Sequence, residues 1–73
     1  MNQMTARASV LRCVPAYCVR DVFCGNVGYR VWMKLPDRSW WIPGFLCGSR
    51  KVAWAEAWER VKALKAKRKR RID

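Results

Sequence analysis

From Tyr29 to Leu35 the chain alternates without a break. Tyr29, Val31, Met33 and Leu35 fall on one side, and Arg30, Trp32 and Lys34 on the other. A period of two is the signature of a strand with one face toward a core. Two earlier runs, SVLRCV (9–14) and AYCVRDVF (16–23), are rich in valine, aromatic residues and cysteine, with Pro15 between them. Each reads as a short strand. Gly25-Asn26 marks a turn, and the polar residues 1–8 read as a frayed, flexible end. After Leu35, the segment PDRS (36–39) supplies turn chemistry and WWI (40–42) returns as a strand, which Pro43-Gly44 ends or bends. FLC (45–47) adds a short further stretch before Gly48.

Beyond Gly48 the period changes. Trp54, Ala57, Trp58, Val61 and Leu64 recur at i, i+3, i+4, i+7 and i+10, which predicts a helix over 49–66 with one apolar stripe and Ser49 as its N-cap. Glu56 and Arg60 form an i,i+4 pair of the favourable orientation. A basic tail, 67–73, follows, and cations there suit the C-terminal end of the helix dipole. The expected fold is a single small α+β domain. Residues 9–46 form an antiparallel β-meander of three to four strands, and one C-terminal amphipathic helix packs on one face.

The second hairpin carries a question of register. With Asp37-Arg38 as a two-residue loop, Leu35 pairs with Trp40, Lys34 with Trp41 and Met33 with Ile42. Tyr29, Val31, Met33, Leu35, Trp40 and Ile42 then line the core, while Arg30, Trp32, Lys34, Trp41 and Phe45 share the opposite face. A one-residue shift exchanges the two tryptophans, because the side-chain period is two. In either register one of them joins Trp32 among cations. One helix covers only one face of a small sheet, so this aromatic and cationic face is open to a partner unless residues 9–24 fold across it. Arg30, Trp32, Lys34, Trp41 and Phe45 are accordingly the candidate partner-binding residues.

Composition narrows the kind of partner. The 73 residues hold 16 Lys+Arg against 5 Asp+Glu, a formal net charge of +11, which favours polyanions or acidic protein surfaces. Arg60, Lys67, Arg68, Lys69, Arg70 and Arg71 are the candidate contacts to nucleic acid or to such an acidic surface. No stretch has the apolar core of a signal peptide or the length of a membrane span, so a monomer in the cytoplasm, away from membranes, is expected. There, Cys13, Cys18, Cys24 and Cys47 are expected as reduced, mostly buried thiols. Their C-x4-C-x5-C-x22-C spacing lacks the paired knuckles of a zinc site, and neither a metal nor another cofactor is expected. With no histidine, no evident carboxylate pair and no phosphate loop, the chain is not expected to be an enzyme.

Residues 28–66, GYRVWMKLPDRSWWIPGFLCGSRKVAWAEAWERVKAL, resemble in element order the arm-type DNA-binding domains of phage integrases and the plant AP2 module. That resemblance implies groove reading by the sheet, through Arg30, Trp32, Lys34 and Arg38. Two tryptophans on such a face depart from the pattern. The whole chain, in its size, its tryptophan and arginine content and its basic end, resembles the small transcription regulators of lytic Xanthomonas bacteriophages. This second resemblance implies a non-catalytic protein that binds host RNA polymerase at its β′ subunit, inhibits initiation by interfering with the σ factor and acts in antitermination. The other expectation is a small phage DNA-binding protein of the excisionase or arm-site type.

Overall fold

Thr5, next after Met4, opens the first described element: its side-chain oxygen accepts the Ala8 N–H at 3.1 Å and caps a helix. A computed structural model of the protein describes residues 5–36 and 38–69. The elements in chain order are α1 (Ala6–Cys13), β1 (Ala16–Phe23), β2 (Asn26–Lys34), β3 (Trp41–Pro43) and α2 (Arg50–Lys69). The fold is α+β: the described residues form three antiparallel strands in the order β1-β2-β3 and two helices rather than one.

The strand expected at 9–14 and the frayed start expected through residue 8 are therefore corrected by α1. Ala6, Val10 and Val14 recur every four residues, and Val10 and Val14 are buried with Ala6 packed beside them. This helical stripe wins over the strand preference of the local valines and cysteine. Val14 ends α1 by donating its N–H to the Val10 carbonyl, and Pro15 follows directly. Residues 1–4 lie outside the described residues.

β1 and β2 form the longest pairing, from Ala16 opposite Met33 to Phe23 opposite Asn26. The turn between them is Cys24-Gly25, one residue earlier than expected. Both of its residues have positive φ, 53° and 79°. Two left-handed central residues match the twist of a tight hairpin, and Gly25 adopts that region without a Cβ clash.

The β2–β3 register is the expected one: Met33 opposite Ile42 and Lys34 opposite Trp41, with Trp32 opposite Pro43. The ladder stops there, so the two-residue loop gives way to a wider connection in which Arg38 N–H reaches the Leu35 carbonyl. Asp37 lies outside the described residues. Past β3 the chain slips by one residue. Gly44 N–H bonds the Val31 carbonyl, and Cys47 then exchanges both backbone bonds with Tyr29. The extra residue is a bulge, and it turns Phe45 out of the alternation. Gly28 faces this returning segment; a Cβ there would stand 2.6 Å from the Cys47 carbonyl oxygen and 2.9 Å from Leu46 Cγ.

Ser49 caps α2 as expected, with its Oγ accepting the Val52 N–H at 3.2 Å. The helix runs on to Lys69, into the basic segment assigned to a tail. Its buried stripe is Ala53, Trp54, Ala57 and Val61, with Trp58 half-buried at the margin. These side chains meet Val31 and Met33 of β2 and Val10 and Val14 of the α1 segment, which makes one core. α1 lies mainly against α2, beside the core, so both helices occupy the same side of the sheet. The molecule is 16 Å across its thinnest axis, enough for two layers and no third.

Candidate docking face

The register places Tyr17, Val19 and Asp21 of β1, Gly28, Arg30, Trp32 and Lys34 of β2, and Trp41 and Pro43 of β3 on the side away from both helices. Residues 9–24 do not fold across it; their second half is one of its strands. Its centre is aromatic. Tyr17 sits opposite Trp32, Trp41 sits opposite Lys34, and the Tyr17 and Trp41 rings meet over β2 edge to face at 5.1 Å. The T-shaped contact fixes both rings without burying them. Tyr17 remains 44% exposed and Trp41 40%, while Trp32 and Lys34 between them are half-buried. The result is a rigid aromatic platform with an ammonium group at its edge.

Arg30 has a different duty. Its Nε donates to Asp21 Oδ2 at 3.0 Å and a second nitrogen donates to the Gly44 carbonyl at 2.9 Å, so one guanidinium ties β1, β2 and the bulge after β3 together. The side chain is only 19% exposed. An arginine spent on two internal acceptors positions the face and has little left to offer a ligand.

Phe45 is exposed but stands apart from the platform. The Arg60 guanidinium lies over its ring at 4.7 Å, and its N–H donates to Glu56 Oε1 at 3.3 Å. Glu56 also accepts from Arg60 Nε at 2.9 Å, the i,i+4 pair read from the sequence, and Arg60 reaches the Pro43 carbonyl at 3.5 Å. Arg60 thus belongs to the junction of α2 with the bulge. The side chains of Lys67, Arg68 and Lys69 lie outside the described residues, as do Arg70 and Arg71 altogether.

Trp40 corrects an expectation. Assigned to the core, it is 59% exposed, with Arg38 at 5.9 Å from its ring. Because the ladder ends at the Lys34–Trp41 pair, nothing holds Trp40 in strand alternation. Tyr17, by contrast, was not singled out from the sequence. The signal was there: a tight turn at 24–25 pairs residue 23 with 26 and therefore 17 with 32.

The thiols also differ from expectation. All four cysteines are free, but Cys13 and Cys24 are exposed, and Cys18 and Cys47 are half-buried on the helix side. Burial pushes the Cys18 thiol up, partly countered by the nearby Arg50, and burial with the Glu56 charge pushes Cys47 up. Neither is an activated nucleophile at neutral pH. Among the described residues no three cysteine or carboxylate side chains gather as metal ligands, and no helix is long and apolar enough to cross a membrane. Comparison with known protein families, with curated proteins and with solved structures returns no match to this chain.

Proposed function

We propose that this chain is a non-catalytic binding protein that docks through its outer sheet face onto a large protein partner, host bacterial RNA polymerase. The observation that carries the docking reading is the Tyr17–Trp32–Trp41 platform beside Lys34, held rigid by the Arg30 network and left uncovered by both helices. Rigid, partly exposed aromatics next to a cation are what dominate protein interface hot spots. The choice of polymerase comes from the resemblance of the whole chain, which also implies the β′ region as the contact, interference with σ at initiation, and antitermination as the outcome in the host cytoplasm. The alternative, a sheet inserted into a DNA groove by an excisionase-like or arm-site protein, draws on the three strands backed by a helix. The internal engagement of Arg30 weighs against it, because the guanidinium best placed to read a base edge is already bonded to Asp21 and Gly44.

The test is binding of purified RNA polymerase holoenzyme to the immobilised protein at moderate salt after nuclease treatment. Trp41→Ala and Tyr17→Ala should each weaken binding by about 1–2 kcal/mol, roughly 5- to 30-fold, without loss of fold. Equal binding by both variants removes the sheet face as the docking site. Loss of binding on nuclease treatment, with tight duplex binding that Trp41→Ala abolishes, installs the groove reading instead.

A further inference from the structure

The two edges of the sheet are finished differently. β3 is three residues long, and the bulge after it returns as far as Cys47 along the same side of β2. The outer edge of β1 has no such cover. The Lys34 N–H donates to the Pro15 carbonyl, so the ladder bonds to β2 fall at every second residue of β1: Tyr17, Val19, Asp21 and Phe23. The backbone groups of Ala16, Cys18, Arg20 and Val22 therefore point away from the sheet. Val22 N–H is taken by Asp21 Oδ1 at 2.8 Å. The N–H and C=O groups of Ala16, Cys18 and Arg20 meet no backbone partner among the described residues. Proteins ordinarily blunt such an edge with lysine, proline or a bulge. From Ala16 to Arg20 this one carries none of them.

This open run is one wall of a cleft. Ala16, Tyr17 and Cys18 line it from β1, Arg7 and Leu11 from α1 and Arg50 from α2, around about 580 Å³. α1 packs mainly on α2, so it flanks the space beside β1 without closing the edge, and Leu11 stays exposed. The charge along the run is positive. Arg7 and Arg20 are exposed, with no acceptor among the described residues. Arg50 stacks over the Tyr29 ring at 4.7 Å, which fixes its guanidinium at the cleft wall and leaves its charge unneutralised. The one carboxylate of β1, Asp21, already serves Arg30 and the Val22 N–H.

We propose that the edge of β1 from Ala16 to Arg20 takes up an extended acidic segment of another protein as a fourth strand. Its backbone bonds the outward groups of Ala16, Cys18 and Arg20, and its carboxylates meet Arg7, Arg20 and Arg50. In strand addition the main-chain bonds supply affinity, and alternate side chains supply selectivity. Charge and backbone together select this occupant. A second copy of the chain brings a net charge of +11 against another of +11 and carries its own Arg20 into the seam. A nucleic acid strand suits the cations but has no row of N–H and C=O groups at strand spacing to match the edge. A peptide with aspartate or glutamate at every second residue satisfies both demands. Its acidic side chains share one face, the helix side, where Arg20 and the cleft lie. The added strand lies next to Tyr17 and so widens the sheet beside the aromatic platform. The inference stands on the edge and its cleft, and needs neither the platform as a docking site nor the identity of the partner.

The experiment titrates the isotope-labelled full chain with an end-blocked peptide of about eight residues, alternating aspartate and valine, and follows amide shifts and hydrogen exchange. At saturation, exchange at the Cys18 and Arg20 amides should slow by at least ~10-fold, while Val19 and Asp21, already in the ladder, change little. Arg7→Gln/Arg20→Gln, checked for fold by circular dichroism, should weaken binding roughly 3- to 10-fold, as two solvent-exposed ion pairs require. N-methylation of one alternate set of peptide residues should abolish binding, the aspartates in an antiparallel pairing or the valines in a parallel one, and methylation of the other set should leave it intact. Equal sensitivity to both sets, or to neither, overturns the proposal. So does failure of the peptide to bind, or equal protection of Cys18 and Arg20 by an oligo-dT or by the lysine–valine peptide of the same design. Edge protection that rises with protein concentration alone also overturns it, by making a second copy the occupant. Failure of the sheet-face reading shows separately, as polymerase binding indifferent to Trp41→Ala with the peptide results intact.

Discussion

The two faces of the sheet share one strand and obey different physics. On the helix side of β2, Val31 and Met33 are each 1% exposed, enclosed by Ala53, Trp54, Ala57 and Val61. On the other side, Trp32 and Lys34 alternate with them along the same backbone and remain half-exposed. The inner face is held by burial, which is non-directional and scales with area. The outer face is held by placed contacts: a guanidinium bonded to two acceptors and one ring set against another. Loss of burial therefore removes stability, whereas loss of an outer ring removes surface. Recognition is free to use the outer side because the core does not depend on it.

The sharpest break of that comparison is Met33→Ala against Trp41→Ala. Met33 is among the largest fully buried side chains, and truncation leaves a cavity under Ala53 and Ala57, so a loss of about 2–5 kcal/mol is expected. Trp41 loses one edge contact from a ring that is already 40% exposed; a loss below about 1.5 kcal/mol is expected despite its greater size. Urea unfolding of both variants measures the difference. If Trp41→Ala costs as much as Met33→Ala, the outer cluster is a second core and its exposure has been misread as availability.

A smaller effect separates positioning from packing on the outer face itself. Arg30→Met keeps much of the aliphatic stem but strands Asp21, whose side chain is 42% exposed, and the carbonyl of the buried Gly44. A loss of about 1–2 kcal/mol is expected. The informative readout is amide exchange. Protection should fall at Gly44 and along the short β3 pairing, which Arg30 helps to hold, and persist through the longer β1–β2 ladder. Uniform loss of protection would make Arg30 part of the global core.

Much of this division was legible along the chain, and the failures have identifiable causes. Strict alternation over 29–35 located β2 and its two faces, and the turn residues at 36–39 yielded the pairing of Lys34 with Trp41. The same alternation extended one pair too far: Trp40 follows strand period in sequence but lies beyond the last ladder bond. Phe45 failed for a related reason, since a bulge is one extra residue and alternation carries no mark of it. α1 was read as a strand because Val10, Cys13 and Val14 have strand preferences, while its helical evidence, Ala6-Val10-Val14 and the Thr5 cap, begins inside a segment that looks unstructured. The buried stripe of α2 was plain, being long and periodic. Arg30 stands among the candidate contacts because sequence shows charge and not the acceptors that consume it, whereas the Glu56 partner of Arg60 is legible at i,i+4.

The thiols offer the finest measure of inner against outer. Cys18 and Cys47 are half-buried toward the helices with raised pKa values, whereas Cys13 and Cys24 are exposed. A thiol whose folded pKa lies above its unfolded value favours the fold while it stays protonated. Its contribution is complete below the unfolded pKa and is lost as pH rises through the folded one. Stability attributable to these two groups should thus hold to about pH 8 and decline above about pH 9. The comparison is with Cys18→Ala/Cys47→Ala, whose urea midpoint should fall less steeply between about pH 8 and pH 10. Iodoacetamide at about pH 8 with mass readout gives the order directly: Cys13 and Cys24 react first, because the thiolate is the nucleophile and burial withholds it at the other two. Early modification of Cys18 would mean that the sheet opens toward α1 often enough to expose its inner face, and the contrast between the two faces would then be one of degree.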